Sequence, residues 1–407
     1  MNKIKKLLIS PDFYIEETKL RPSYEKFDLE SQEVGKYNFL QDGVVNERYD
    51  FKGFLDGSMR LYKIGNAYET GTPFYVATIS SVVLYRGKDR LLRNTKYSKK
   101  ANIIIFPKEC YLNTVRDSEI RKKAEEFVLN IKKMVEKTGG IFVHEYEINK
   151  YGGVEFLKKH NNFWIFSDIT YEGVTALDLS SQRILIKQED LFNPVRVKNA
   201  ARARARFIMN LFEFSSAYLF VIDHQKSKDL FLIDGLIPRF SRISNTLCLK
   251  KSEYIKCVSR IAGFIKTPRV IPKDFSELKS LFTLKEGECK VYKGKPKDLE
   301  VYGEELLEVK EDIKDEDYFI FLKFRNIPYF ESSSQSLVKI HLKAGENIRF
   351  VDIAFAIYNE RLPLPNDKSR FFNEPFAIEE AERVAQTNLA SEEEIRGFML
   401  SLVYSLW

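Results

Sequence analysis

Cysteine is scarce and scattered. Cys110, Cys248, Cys257 and Cys289 are spread over 407 residues without one C-x-x-C pair, which excludes a zinc knuckle and a disulfide framework and fits ordinary thiols of a reducing cytoplasm. None of the four histidines, His144, His160, His224 and His341, stands at metal-ligand spacing from another His or Cys, which argues against zinc catalysis. There is no Gly-rich phosphate loop of the Walker type, so any ATP hydrolysis falls to a partner, and Ser58 lies outside a nucleophile-elbow pattern. No segment reads as the roughly 18 apolar residues that cross a bilayer. The first ten residues carry three lysines and a short apolar stretch, but Pro11 and Asp12 intervene before a signal-peptide core forms.

The remaining composition is that of a globular, weakly basic chain. Hydrophobic residues make up 44% and charged residues 30%, which supports a sizeable core and excludes wholesale disorder. Sixty-five Lys and Arg against 58 Asp and Glu leave a net charge of +7, a slight bias towards a polyanionic partner that a solvated Lys-rich surface explains equally well. The length admits two domains, or one large domain with insertions.

Residues 1–50 alternate charge and aromatics without a clear period and read as a helical or irregular N-terminal arm. Apolar runs then predict strands over 51–56, 74–85 and 103–106, in the order of a meander. Ile120, Ala124, Phe127, Ile131, Met134 and Val135 recur at helical spacing within 117–137, and Gly139-Gly140 ends that helix. Further strands are read over 141–146, 163–169, 183–186, 230–233, 318–324 and 337–342, and helices over 197–220, 375–390 and 391–407. The fold class is α/β, a mixed sheet flanked by helices. One domain over 51–390 would carry insertions near 86–180 and 276–317 and be followed by a C-terminal helix over 391–407.

Two segments share one design, an apolar run closed by Asp-Gly: Phe54-Leu55-Asp56-Gly57 and Leu232-Ile233-Asp234-Gly235. A carboxylate at the end of a buried strand is rigidly held, and the glycine lets the backbone turn away and leaves room for a ligand. Taken singly, each is also a common turn dipeptide. Between them, Phe207, Leu211, Phe214 and Tyr218 form an apolar helical stripe widened by Ile208, Phe212 and Leu219, while Arg202, Arg206 and Glu213 fall together outside it. Three acids from a strand, a helix and a later strand suit divalent-metal phosphodiester chemistry. Carboxylate oxygens bind hard ions such as Mg²⁺ or Mn²⁺, and two ions about 4 Å apart activate water and stabilise the leaving oxygen. Arg60, Arg202 and Arg206, within a series that includes Arg196, Lys198 and Arg204, are placed to hold a phosphate backbone without reading bases, and Lys266 to reach a phosphate or to snorkel from the core edge. Read by periodicity alone, Glu213 is more readily a solvated, ion-paired glutamate than a ligand.

The order of these motifs resembles the NurA family. The resemblance rests on Leu55-Asp56-Gly57-Ser58-Met59-Arg60, on Glu213 some twenty residues before Leu232-Ile233-Asp234-Gly235-Leu236-Ile237, on Ala262-Gly263-Phe264-Ile265-Lys266, and on Pro375-Phe376-Ala377-Ile378-Glu379-Glu380-Ala381-Glu382. It implies an RNase H-like fold related to the Piwi nuclease domain, with Asp56, Glu213 and Asp234 as metal ligands, usually for Mn²⁺. It also implies single-strand endonuclease and 5′-to-3′ exonuclease action on DNA, and a homodimer working with a hexameric HerA-type translocase in resection of double-strand breaks. The last motif departs from the family. Where many members have a tyrosine before the proline and a histidine at the motif's end, this chain has Glu374 and Glu382. Glu382 is accordingly read as a fourth catalytic acid supplying an oxygen in place of an imidazole nitrogen, or as part of a solvated helix face. Two other classes stay open at the level of sequence, a non-catalytic DNA-binding adaptor for a ring ATPase and an RNase H-like nuclease acting on RNA or in defence against mobile elements.

Overall fold

Alternation along one long strand divides the molecule into two layers around a sheet. From Phe51 onward, Phe54 joins the core on one face while Leu55, Met59 and Leu61 join the core on the other, the period-two pattern of a strand covered on both sides. The computed structural model describes residues 16–17, 29–38, 49–67, 69–170, 186–224, 229–266, 275–296, 317–325, 336–343, 350–364 and 373–405.

In chain order these form β1 (Glu16–Glu17), β2 (Leu29–Asn38), β3 (Phe51–Asn66), β4 (Pro73–Arg86), β5 (Leu92–Asn94) and β6 (Lys99–Phe106), then α1 (Lys108–Thr114) and α2 (Ser118–Lys137). Next come β7 (Phe142–His144), α3 (Glu147–Lys150), α4 (Val154–Lys159), β8 (Asn162–Asp168), the long helix α5 (Pro194–Asp223), β9 (Leu230–Asp234), α6 (Phe240–Leu247), α7 (Lys251–Val258) and β10 (Ile261–Ile265). The chain continues through α8 (Phe275–Phe282), β11 (Glu288–Pro296), β12 (Asp317–Lys323), β13 (Leu337–Lys343), α9 (Phe350–Asn359), α10 (Phe376–Thr387) and α11 (Glu392–Ser405).

All thirteen strands belong to one mixed sheet, ordered β2-β11-β12-β13-β10-β9-β3-β4-β6-β8-β7, with β1 on β3 and β5 on β4. β3, β4 and β6 make the expected antiparallel meander. On the other side of β3, β9 and then β10 are added parallel to it, after which β13, β12, β11 and β2 run antiparallel. α5 lies across β3, β4 and β6. Its Ile208, Leu211 and Phe212 pack with Leu55, Ile79 and Ile103 in the core of that face. The opposite face is covered by α9 and α10, whose Ile357, Ile378 and Ala381 join Phe54, Val82, Leu232 and Phe264. Each fully buried Leu, Ile or Phe contributes about 1.5–3 kcal/mol relative to exposure, so the two layers hold the strand ends firmly.

Local signals explain where α5 begins. Pro194 stands at its first position, and Asn193 caps it by accepting a hydrogen bond from the Arg196 N–H at 3.1 Å. The helix is also long and apolar enough to cross a membrane, against the expectation from run lengths. It is a core helix all the same, since 61% of its most apolar window is buried inside the protein.

Several sequence expectations need correction. Residues 29–38 of the expected arm are a strand paired with β11. The stretches read as insertions supply β6, β7, β8 and β11 to the sheet itself. The strand expected over 51–56 runs on to Asn66. Of the strand expected over 183–186, only Ile186 lies within the described residues, bridging Thr170; most of 1–50 and residues 297–316 lie outside them.

A candidate metal centre of clustered carboxylates

The sheet opens where β9 leaves β3. Leu55 pairs with Ile233 as the last matched residues of these parallel strands, while Asp56 continues only against Val82 of β4. Asp56 and Asp234 therefore stand level at the mouth of the gap. Phe54, Leu232 and Phe264, each two residues earlier on its strand, all belong to the core beneath α9 and α10. Alternation thus turns Asp56, Asp234 and Lys266, just past the end of β10, to that same face. α10 meets them there through buried Ala377, Ala381 and Ala385, side chains small enough to bring the helix close to the sheet. Glu374 precedes the N-cap Pro375, and Glu382 lies one turn after Ile378.

These side chains converge on one point. Lys266 Nζ stands 2.6 Å from Glu374 Oε1, 3.3 Å from Asp234 Oδ2, 3.3 Å from Glu382 Oε2 and 3.8 Å from Asp56 Oδ2. One carboxylate oxygen from each of Asp56, Glu374 and Glu382 lies within 4.8 Å of the others. Asp56 is only 5% exposed. Its Oδ1 accepts the Gly57 N–H at 2.7 Å, whereas Oδ2 is buried and accepts no hydrogen bond, Lys266 being beyond hydrogen-bonding reach. The second oxygen of Glu382 accepts from Gln386 Nε2 at 2.9 Å, which fixes the carboxylate along α10.

Glu213 arrives from the opposite face, and Gly57 admits it. A Cβ at Gly57 would lie 2.1 Å from Glu213 Oε1, so the Glu213 carboxylate occupies the space that glycine leaves and any larger residue would displace it. The two Asp-Gly pairs accordingly differ. Gly235 turns the chain as expected, with φ of +92°, but Asp56-Gly57 lies inside the sixteen-residue β3 and is no turn. There the glycine serves close approach. The turn after Asp234 is braced from β13: the Ile237 N–H donates to His341 Nδ1 at 3.0 Å, and His341 Nε2 donates to Asp317 Oδ1 at 2.9 Å. Lys343 Nζ donates to the same Asp317 oxygen at 2.9 Å.

Gathering so many acids shifts their proton affinities. Burial, then the neighbouring Asp234, pushes Asp56 well above the usual carboxylate range, with Lys266 opposing. Burial and Asp234 push Glu213 up to about 8 against the pull of Arg206. Burial alone would lower Lys266, but Asp234, Asp56, Glu374 and Glu382 outweigh it and hold the ammonium charged.

The structure brings Asp56, Asp234, Glu382 and Lys266 into one contact set and places Glu213 within electrostatic reach of Asp56 and Asp234. Glu374 completes the set, a ligand position that the sequence motifs do not assign. It precedes its helix, so helical periodicity carries no signal for it, and its mark in the sequence is its place before Pro375. Arg206 lies near enough to act on Glu213. Arg202 sits eleven residues before Glu213, about 16 Å along the helix. Arg60 is on the α10 face of β3, about 13 Å along the strand from Asp56. Two of the accompanying cations are engaged elsewhere: Arg204 is buried and paired with Glu145 at 2.6 Å, and Arg196 pairs with Asp190 at 3.5 Å. Lys266, expected to reach a phosphate or to snorkel from the core edge, stands among carboxylates with its side chain 26% exposed.

An all-oxygen donor set with a buried, hydrogen-bond-free carboxylate oxygen fits a hard divalent cation. No protein-family model matches the chain, and a search of curated proteins finds no match.

Proposed function

We propose that this chain is a nuclease dependent on Mn²⁺ or Mg²⁺, with an RNase H-like core. The observation that carries the reading is the convergence of Asp56, Asp234, Glu374 and Glu382 on one point where the parallel pairing of β3 with β9 ends, with Glu213 reaching in over Gly57. The topology supports it. Within the larger sheet, β6-β4-β3-β9-β10 is an antiparallel meander extended by two strands parallel to its first, with acids on the first strand, on α5, the long helix that directly precedes β9, and on β9. That is the arrangement the RNase H-like reading calls for.

Asp56, Glu374 and Glu382 are the residues that would hold the ion, with Asp234 and Glu213 beside them. Bound there, a divalent cation supplies activation of water and neutralises charge developing on a phosphodiester. The remaining groups are the chain's own. Glu213 holds a proton near neutrality in the metal-free protein, and Arg206, with Arg202 and Arg60 further out, provides cations for a phosphate backbone. The likeness to the NurA family extends the proposal to single-strand endonuclease and 5′-to-3′ exonuclease action on DNA, in end resection in the cytoplasm as a homodimer with a HerA-type hexameric translocase.

The test is incubation of the protein with labelled single- and double-stranded DNA and RNA, with Mn²⁺, Mg²⁺ or EDTA. Products that require metal and disappear in Asp56→Asn support the nuclease, and products from RNA alone redirect it to RNA. A second reading, a non-catalytic DNA-binding adaptor, is favoured by one observation: Lys266 already neutralises part of the acid cluster without metal. DNA binding without metal-dependent product selects it.

A further inference from the structure

The position of Lys266 has consequences for how the centre is loaded, on the reading of the cluster as a metal site. Among the described residues, four carboxylates, those of Asp56, Asp234, Glu374 and Glu382, face the ammonium of Lys266. An ammonium is a compact point charge with three donors that usually sits about 2.7–2.9 Å from a carboxylate oxygen, and Lys266 stands 2.6 Å from Glu374 and 3.3–3.8 Å from the other three. Hard divalent ions bind carboxylate oxygen at roughly 2.0–2.6 Å and demand several such oxygens at once. The oxygens of Glu374 and Glu382 that face Lys266 belong to the same residues that form the ligand-distance set with Asp56. One cation therefore excludes the other: an ion drawing those oxygens onto itself removes the partners that hold the ammonium, and like charges at such a distance repel.

Lys266 is also built to leave. It follows the last residue of β10, and its side chain keeps 26% exposure beside a Glu374 side chain at 1% and an Asp56 side chain at 7%. Its flexible four-carbon stem can carry the charge outward while Asp56 and Asp234 stay on their strands, Glu382 on its helix and Glu374 buried before it. We propose that Lys266 is an exchangeable internal counter-ion: it holds the carboxylates together before metal arrives, and a divalent cation entering at Asp56, Glu374 and Glu382 displaces its ammonium towards solvent, where it becomes available to a backbone phosphate. Metal loading thereby converts a group that neutralises the site into one that attracts its substrate.

Two measurements test this, the first on the unaltered protein. Lysine acetylation with an amine-reactive ester, read by mass spectrometry, is expected to modify Lys266 several-fold faster in saturating Mn²⁺ than in EDTA. Calorimetric titration is expected to show Mn²⁺ binding at least tenfold tighter to Lys266→Met than to the wild type. Wild-type protein that binds Mn²⁺ with Lys266 acetylation unchanged or slowed overturns the inference and leaves the metal reading standing. Absence of Mn²⁺ binding in both proteins overturns the metal reading and the inference with it.

Discussion

Two buried polar clusters lie a few strands apart in one sheet, and they are built on opposite principles. At β12 and β13, Asp317 is matched by Lys343 and by the N–H of His341, whose other nitrogen receives the Ile237 N–H. Because His341 Nδ1 accepts that hydrogen bond, the ring is neutral, in keeping with burial lowering its proton affinity. Against burial, the hydrogen bond from His341 and the charge of Lys343 hold Asp317 below the usual carboxylate range. One acid meets one cation, and each polar atom of the His341 ring has a partner. Where β9 and β10 end beside β3, the acids among the described residues outnumber their lysine, Asp56 and Glu213 are pushed up, and an Asp56 oxygen is buried without a hydrogen bond. A polar cluster that serves only stability is balanced by its own residues, whereas the acidic one is left in excess of one sign, a condition that an external cation relieves.

The largest expected effect separates the clusters by what they lose. Asp56→Asn is expected to reduce metal-dependent cleavage by on the order of a thousandfold while leaving the metal-free melting temperature unchanged or higher. A variant that cleaves normally, or melts far lower, removes the basis of the contrast. Asp317→Asn is expected to do the reverse. It removes the buried negative charge that Lys343 and His341 face, at a cost of roughly 3–5 kcal/mol in urea unfolding, and affects cleavage only through the turn after Asp234. Gly57→Ala is expected to displace the Glu213 carboxylate and lower the metal-dependent rate about tenfold or more; an unaltered rate would show that Glu213 is dispensable.

The smallest effect is a matter of pH. With its folded pKa near 8 and an ordinary value near 4.5, Glu213 keeps a proton in the folded protein that the unfolded chain releases, so stability falls as pH rises between those values. Asp317, held low, behaves in the opposite sense, and its contribution is lost as pH falls below the usual carboxylate range. Melting temperatures of the metal-free protein are expected to drop by a few degrees between pH 6 and pH 8.5, and Glu213→Gln to flatten that slope. Equal slopes in the two proteins would detach Glu213 from the acid cluster.

Much of the frame is legible in residue pattern. The period of Ile120 to Val135 marks α2, the apolar stripe of Phe207 to Tyr218 marks α5, and the β-branched runs mark β4, β6, β9, β12 and β13, because each signal is local. Asp56, Glu213, Asp234 and Glu382 all stand out from their motifs, and the structure sets them around one gap. The misses have physical causes. Residue pattern cuts β3 short because Asp-Gly is a turn dipeptide in water, whereas in the fold Glu213 needs the space of a missing Cβ, a demand that comes from the packed helix and not from the neighbours in sequence. Glu374 precedes its helix and so belongs to no periodic face. The carboxylates around Lys266 leave no mark in its own motif, because they gather only after four distant segments have folded together.

The position of β3 within the sheet also sets distances for any assembly. Among the described residues the sheet path ends at β7 and β2, four and six strands away from β3. At about 4.8 Å per strand, these borders lie roughly 19 Å and 29 Å from the acids. A second copy joined edge to edge at β7 would therefore bring its own centre no nearer than roughly 40 Å, too far for the two to act on the same phosphodiester, so each would have to process a separate strand or a separate stretch of one.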